Sequence, residues 1–148
     1  MKESMYKYMK VGLIDFMAYP AIMKGEGPVV EVKRKVACDD YFNAIEVTTT
    51  KNAEESQKVK KILETSGMAV AFGAQPILLT LGLNINNVDE NGRQKAVARM
   101  KEAIDEACEI GAGGFAFLSG KYEESRKEEA FQALVKSTEE LCFYAKSK

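Results

Sequence analysis

Five polar side chains stand where short apolar runs end or are interrupted: Asp15, Glu46, Gln75, Ser119 and Lys121. Glu46 breaks into the run Ala44-Ile45-Glu46-Val47. A carboxylate there is costly to bury alone, so it requires a partner, water or a ligand. A glutamate side chain can serve as a general acid or base. Glu46 is therefore the candidate catalytic residue, weighed against a structural carboxylate paired with a lysine or with backbone groups. Asp15, near the end of the first run, is a candidate substrate contact, with loop capping as the alternative. Gln75, Ser119 and Lys121 follow the third and fourth runs and are further substrate-binding candidates. Gly120, Lys121 and the start of the next helix could receive an anion; a solvated loop is the plainer reading.

Other chemistries are excluded or weak. The chain has no histidine, which removes Ser-His-Asp and Cys-His catalysis and histidine metal ligation. Its three cysteines, Cys38, Cys108 and Cys142, lack zinc-like spacing. Cys108 and Cys142 read as small hydrophobes on apolar helix faces. Cys38 has acidic neighbours that disfavour a thiolate. Gly111-Ala-Gly113-Gly-Phe-Ala116 matches the dinucleotide fingerprint only formally, because here a helix precedes and a strand follows. Leu118-Ser-Gly-Lys121 lacks the first glycine and the Ser/Thr of a phosphate loop. With 21 basic against 22 acidic residues, nothing points to nucleic acid or a membrane surface. No secretory h-region or run of 18 apolar residues is visible, so a reducing cytoplasm is the expected location.

These side chains need elements to hold them. Strands are expected at Met9–Phe16, Phe42–Thr49, Met68–Phe72 and Gly114–Leu118, each short and nearly continuous in apolar character, as in buried parallel sheets. Between them lie helical signals. Asn52 with Glu55 resembles a capping box, Val59, Ile62 and Leu63 share a face, and Gly67 ends the helix. Asn87 with Glu90 repeats the start signal before the stripe Val97, Met100, Ile104, Ala107 and Cys108, closed by Gly111. Phe131, Leu134, Val135, Thr138, Leu141, Cys142 and Ala145 form the last stripe. Val29, Val32 and Val36 suit a helix opened by Gly27-Pro28, because a parallel connection needs one. Tyr19–Gly27 and Gln75–Asn87 read as loops.

The order β-α-β-α-β-α-β-α argues for an α/β fold with a parallel sheet. A complete eight-stranded barrel needs at least about 200 residues, and this chain has 148. The expectation is a single (βα)4 domain over residues 1–148, with 1–8 as an N-terminal extension. It is half of a barrel, closable by dimerisation. An open flavodoxin-like sheet would require helices on both faces.

The segments KVGLIDFMAYP, DDYFNAIEVT, MAVAFGAQP and GAGGFAFLSGK together resemble the first half of the sugar phosphate isomerase/epimerase family, the xylose isomerase-like TIM barrels related to apurinic endonuclease family 2. The aromatic-x-x-Ile-Glu pattern of strand two places the family's glutamate on Glu46. The resemblance implies a barrel acting on a sugar, sugar phosphate or polyol, generally with a divalent metal (Mn, Mg or Zn). The metal ligands it implies lie on the last four strands, outside these residues. Histidines of the endonuclease branch would fall near Gln75 and Ser119, so that branch fits poorly. The expectation is therefore the N-terminal half-barrel of a sugar phosphate isomerase/epimerase-like protein, incomplete for catalysis alone. Its partner would be a C-terminal half or a second copy, a homodimer that doubles Asp15 and Glu46. The alternative is a non-catalytic, self-associating half-barrel that binds a small polyol or phosphate.

Overall fold

The structure, a computed structural model, describes residues 4–148. Four parallel strands form one sheet in the order of the chain: β1 (Gly12–Ile14), β2 (Ala44–Val47), β3 (Ala69–Gly73) and β4 (Gly114–Ala116). The helices are α1 (Asp15–Ala18), α2 (Val29–Ala37), α3 (Ala53–Ser66), α4 (Gln75–Leu81), α5 (Glu90–Glu109) and α6 (Lys127–Lys146), with single 3-10 turns at Met5–Lys7, Pro20–Ile22 and Glu124–Arg126.

Sequential parallel order has a physical consequence. Right-handed crossovers between successive neighbours deposit their helices on the same side of the sheet. Register confirms a sheet with two unlike faces. Gly12 pairs with Ala44 and Ala44 with Ala69; Ile14 pairs with Glu46, Glu46 with Ala71, and Ala71 with Gly114. Side chains paired in this way point to the same face. The alternate set, including Ile45, Val47 and Phe72, is buried against the helices with Val59, Leu63, Val97 and Met100. Phe72 and Phe115 stack there with centroids 5.8 Å apart. The flavodoxin-like alternative is thus set aside: the sheet is a (βα)4 half of a TIM barrel, and it is not closed.

Local signals explain the helices. Asn52 Oδ1 accepts from the backbone N–H groups of Glu54 and Glu55, at 2.9 and 3.1 Å. Gly67 ends α3 at φ 66°, a left-handed conformation that suits glycine. Val29, Val32 and Val36 are buried on α2 as their spacing predicts.

Four expectations are corrected. Strands β1, β2 and β4 are shorter than their apolar runs, β3 keeps its length but starts one residue later, and Asp15 opens a helical turn instead of ending β1. Residues 75–81, read as loop, form helix α4, with Pro76 in its first turn and Gly82 at its end. Asn87 closes its own turn by accepting from the Asp89 N–H, so the cap of α5 is Asp89, which accepts from the Gly92 N–H. Cys108 and Cys142 are exposed. Val97, Met100, Ile104 and Ala107 of the α5 stripe are buried as their spacing predicts, with Ala96 and Ala103 beside them, whereas α6 turns Ser137 and Leu141 inward. That rotation leaves Phe131 and Val135 in solvent.

Candidate functional site

The carboxyl ends of the strands form one mouth, the position where parallel α/β folds place their sites. Glu46 lies on the helix-free face of β2, half-buried. Gln75 opens α4 just beyond the end of β3 and donates from Nε2 to Glu46 Oε1 at 3.2 Å. The Oε1 of Gln75 is buried and has no hydrogen-bond partner, which leaves an acceptor beside the carboxylate for a hydroxyl or water. The structure therefore joins two residues that lie 29 positions apart in sequence.

Gly73 makes that pairing sterically possible. A Cβ there would stand 2.6 Å from Glu46 Oε1 and 2.7 Å from both Gln75 Oε1 and Phe16 Cε1. Gly73→Ala is expected to break the contact at a cost of about 1–3 kcal/mol. A lowered urea midpoint and a displaced Gln75 side-chain amide signal in an 1H–15N spectrum would show it. An unmoved amide signal would mean that the carboxylate adapts.

Asp15 is placed differently. It is fully buried, and its Oδ2 lies 3.0 Å from Nζ of Lys33, also fully buried. Neither group has a further well-formed hydrogen bond. Burial pushes the Asp15 carboxyl above its ordinary value and the Lys33 ammonium below its own, and the attraction between the two only partly offsets this. As placed, Asp15 contacts Lys33 and has no access to the open mouth, and the nearby Glu46 carboxylate adds a small repulsion that raises it further. Lys33 went unnoticed in the sequence. Its signal was there, since it falls at i+4 from Val29 and i−3 from Val36, on the apolar stripe of α2.

Ser119 and Lys121 are exposed on the loop after β4. Asn84 Nδ2 donates to the Lys121 carbonyl at 2.8 Å, and Gly120 between them takes φ 88°. Ser119 and Lys121 line an open cleft of about 530 Å³ with Leu78, Leu79 and Leu118. No described contact links this loop to the Glu46–Gln75 pair. Among the described residues no three His, Cys, Asp or Glu side chains come together, so the side chains of this unit do not by themselves fit a divalent metal. No described helix is long and apolar enough to cross a membrane.

A parallel sheet in chain order, helices on one side and polar groups at the strand ends define a barrel-type α/β unit. The chain belongs to the xylose isomerase-like TIM barrel family, whose model matches residues 37–148, from the end of α2 through α6. No curated protein matches it significantly.

Proposed function

We propose that this unit supplies the acid–base carboxylate of an isomerase or epimerase acting on a sugar or sugar phosphate. The supporting observation is Glu46 itself. It stands half-buried on the helix-free face, and a neutral amide rather than a cation orients it. A carboxylate oriented in this way can serve as a general base. In the proposed step Glu46 removes a proton from the carbon next to the substrate carbonyl. The C–H electron pair moves into the carbonyl as an enediolate forms. Return of the proton by Glu46 to the former carbonyl carbon, with the enediolate's hydroxyl proton passing to the other oxygen, exchanges aldose for ketose; epimerisation needs a second acid, delivered from outside this pair, to protonate the original carbon on its opposite face. Gln75 fixes the carboxylate and offers its free Oε1 to a substrate hydroxyl. Ser119 and Lys121 contact a hydroxyl or phosphate at the rim, and Asp15 anchors the turn that carries Phe16.

The test is incorporation of solvent deuterium into a panel of aldose and ketose phosphates by the protein in its native assembly. Glu46→Gln is expected to lower exchange by about 10²-fold or more. Gln75→Ala should lower it less, because it only loosens the carboxylate. Undiminished exchange in Glu46→Gln would overturn the reading.

A further inference from the structure

The mouth has an apolar wall beside its polar pair. Helix α4 carries Gln75 and Leu79 one turn apart on one face, and side chains at that spacing are neighbours, with roughly 5–6 Å between their Cβ atoms. Gln75 turns to Glu46, whereas Leu79 is 64% exposed. Leu118 reaches the same side from β4. Phe115 and Phe117 both keep to the core side, their ring centroids 6.1 Å apart, so the strand alternation runs on past β4. Leu118 therefore falls on the side of Ala116, whose register partner Gly73 closely approaches Glu46 and Gln75. Leu79 and Leu118 line one cleft of about 530 Å³, and Leu78 and Leu83 join it to the core. Among the described residues that line it, only Lys121 is charged.

Size and chemistry choose the occupant. Small-molecule pockets span roughly 300–1,000 Å³ and are mainly apolar with a few polar groups, as this cleft is. An apolar wall one helical turn from the Glu46–Gln75 pair is continuous with that pair's site. Sugar hydroxyls laid against these leucines would lose water and gain no partner. We infer that the cleft takes an apolar part of the substrate, which is then a sugar or related hydroxy-carbonyl compound bearing a short alkyl chain or an aromatic ring. The carbonyl end lies at Glu46 and Gln75, the apolar substituent between Leu79 and Leu118, and Lys121 at the rim. That the ligand is a substrate rests on the acid–base reading of Glu46; the preference for an apolar group rests on the cleft alone.

Methyl, butyl and hexyl β-glucosides, titrated into the protein in its native assembly and followed in 1H–15N spectra, test the preference without reading proton transfer. Affinity is expected to rise about twofold per methylene, or roughly thirtyfold from methyl to hexyl, because an open cleft buries only part of each group. Shifts should centre on Leu79, Gly82, Leu118 and Gly120. Leu79→Ser with Leu118→Ser should abolish the dependence on chain length. If that pair does not fold, Leu118→Ser alone should weaken the dependence. Leu81→Ser, at a residue 56% exposed and outside the cleft, should leave it unchanged. Affinity that does not grow with chain length overturns the inference, as does growth that survives both serines. So does free protein whose sedimentation and whose Leu79 and Leu118 amide signals change together with its own concentration, since a second copy then occupies the cleft. Chain-length selectivity that holds while Glu46→Gln leaves deuterium exchange undiminished would sink the acid–base reading and keep the apolar preference.

Discussion

Lys33→Met is expected to lower the unfolding free energy by about 3–5 kcal/mol, because it leaves the Asp15 carboxylate buried without its counter-ion. Both side chains are fully buried and the pair has little hydrogen-bond support beyond their mutual contact, so its own net contribution is small. Replacing both groups, Asp15→Leu with Lys33→Met, should therefore restore most of the loss. Urea unfolding of the single and double variants measures this. The pH dependence has a fixed sign. Burial raises the Asp15 pKa above its ordinary value of 3.8. The folded protein then binds more protons than the unfolded one just above that value, and the pair's contribution falls as pH rises through the window. Lys33 is lowered from 10.5, so its contribution is present above that value and lost as pH falls from it. The wild type minus the double variant should thus show its least favourable difference between the two windows. Lys33→Met alone should recover stability towards acid pH, as Asp15 takes a proton. A single variant as stable as wild type at neutral pH would contradict the buried-charge account.

The repeating pattern was readable because strands buried on one face by helices must be apolar there, and each connecting helix must carry a matching stripe. The four strands and the helices α2, α3, α5 and α6 all follow from this. What was not readable has physical reasons as well. Apolar content does not report hydrogen-bonding reach, so the runs at Met9–Phe16 and Phe42–Thr49 overstate β1 and β2. Pro76 and Gly82 look like loop signals, yet proline in a first turn and glycine after a last turn are also helix punctuation, and here they bracket α4. On α6 the apolar positions predicted a stripe through Phe131 and Val135, but polar contacts with α5 rotate the helix away from it.

The site was legible in part. An isolated glutamate in an apolar strand marked Glu46, and a polar residue after the next strand marked Gln75. Their contact could be expected only from adjacent parallel strands, and it also depends on Gly73 having no side chain. Asp15 was noticed for its position, but its partner came from a different element, and a lysine within a valine stripe reads easily as a solvated residue. Nothing in the sequence fixed how the Ser119–Lys121 loop sits relative to Glu46.

The contact that sets α6 is also the second large expected effect. Arg93 is 1% exposed. Its Nη2 donates to Glu140 and to Glu90, each at 2.8 Å, its Nε to Glu90 at 2.9 Å and its Nη1 to Ser137 at 3.0 Å. Ser137 in turn donates to the Ile85 carbonyl at 2.6 Å. One guanidinium thus ties α5, α6 and the segment before α5 together. Arg93→Met should cost about 2–4 kcal/mol, since Ser137 and Glu140 lose their shared partner at a buried contact. Arg93→Lys should recover only part of this, because one ammonium cannot reproduce the planar fork. Glu90→Gln should matter much less, as Glu90 is largely exposed. Hydrogen exchange separates this from a uniform loss of stability. Protection should fall first in α6, the helix with few other ties to the sheet, while β2 and β3 keep theirs. An equal loss across all elements would show that α6 unfolds only with the whole domain. An early loss confined to α6 would mean that this helix is held on α5 by the charge cluster more than by its apolar stripe, which leaves Phe131 and Val135 free to face outward.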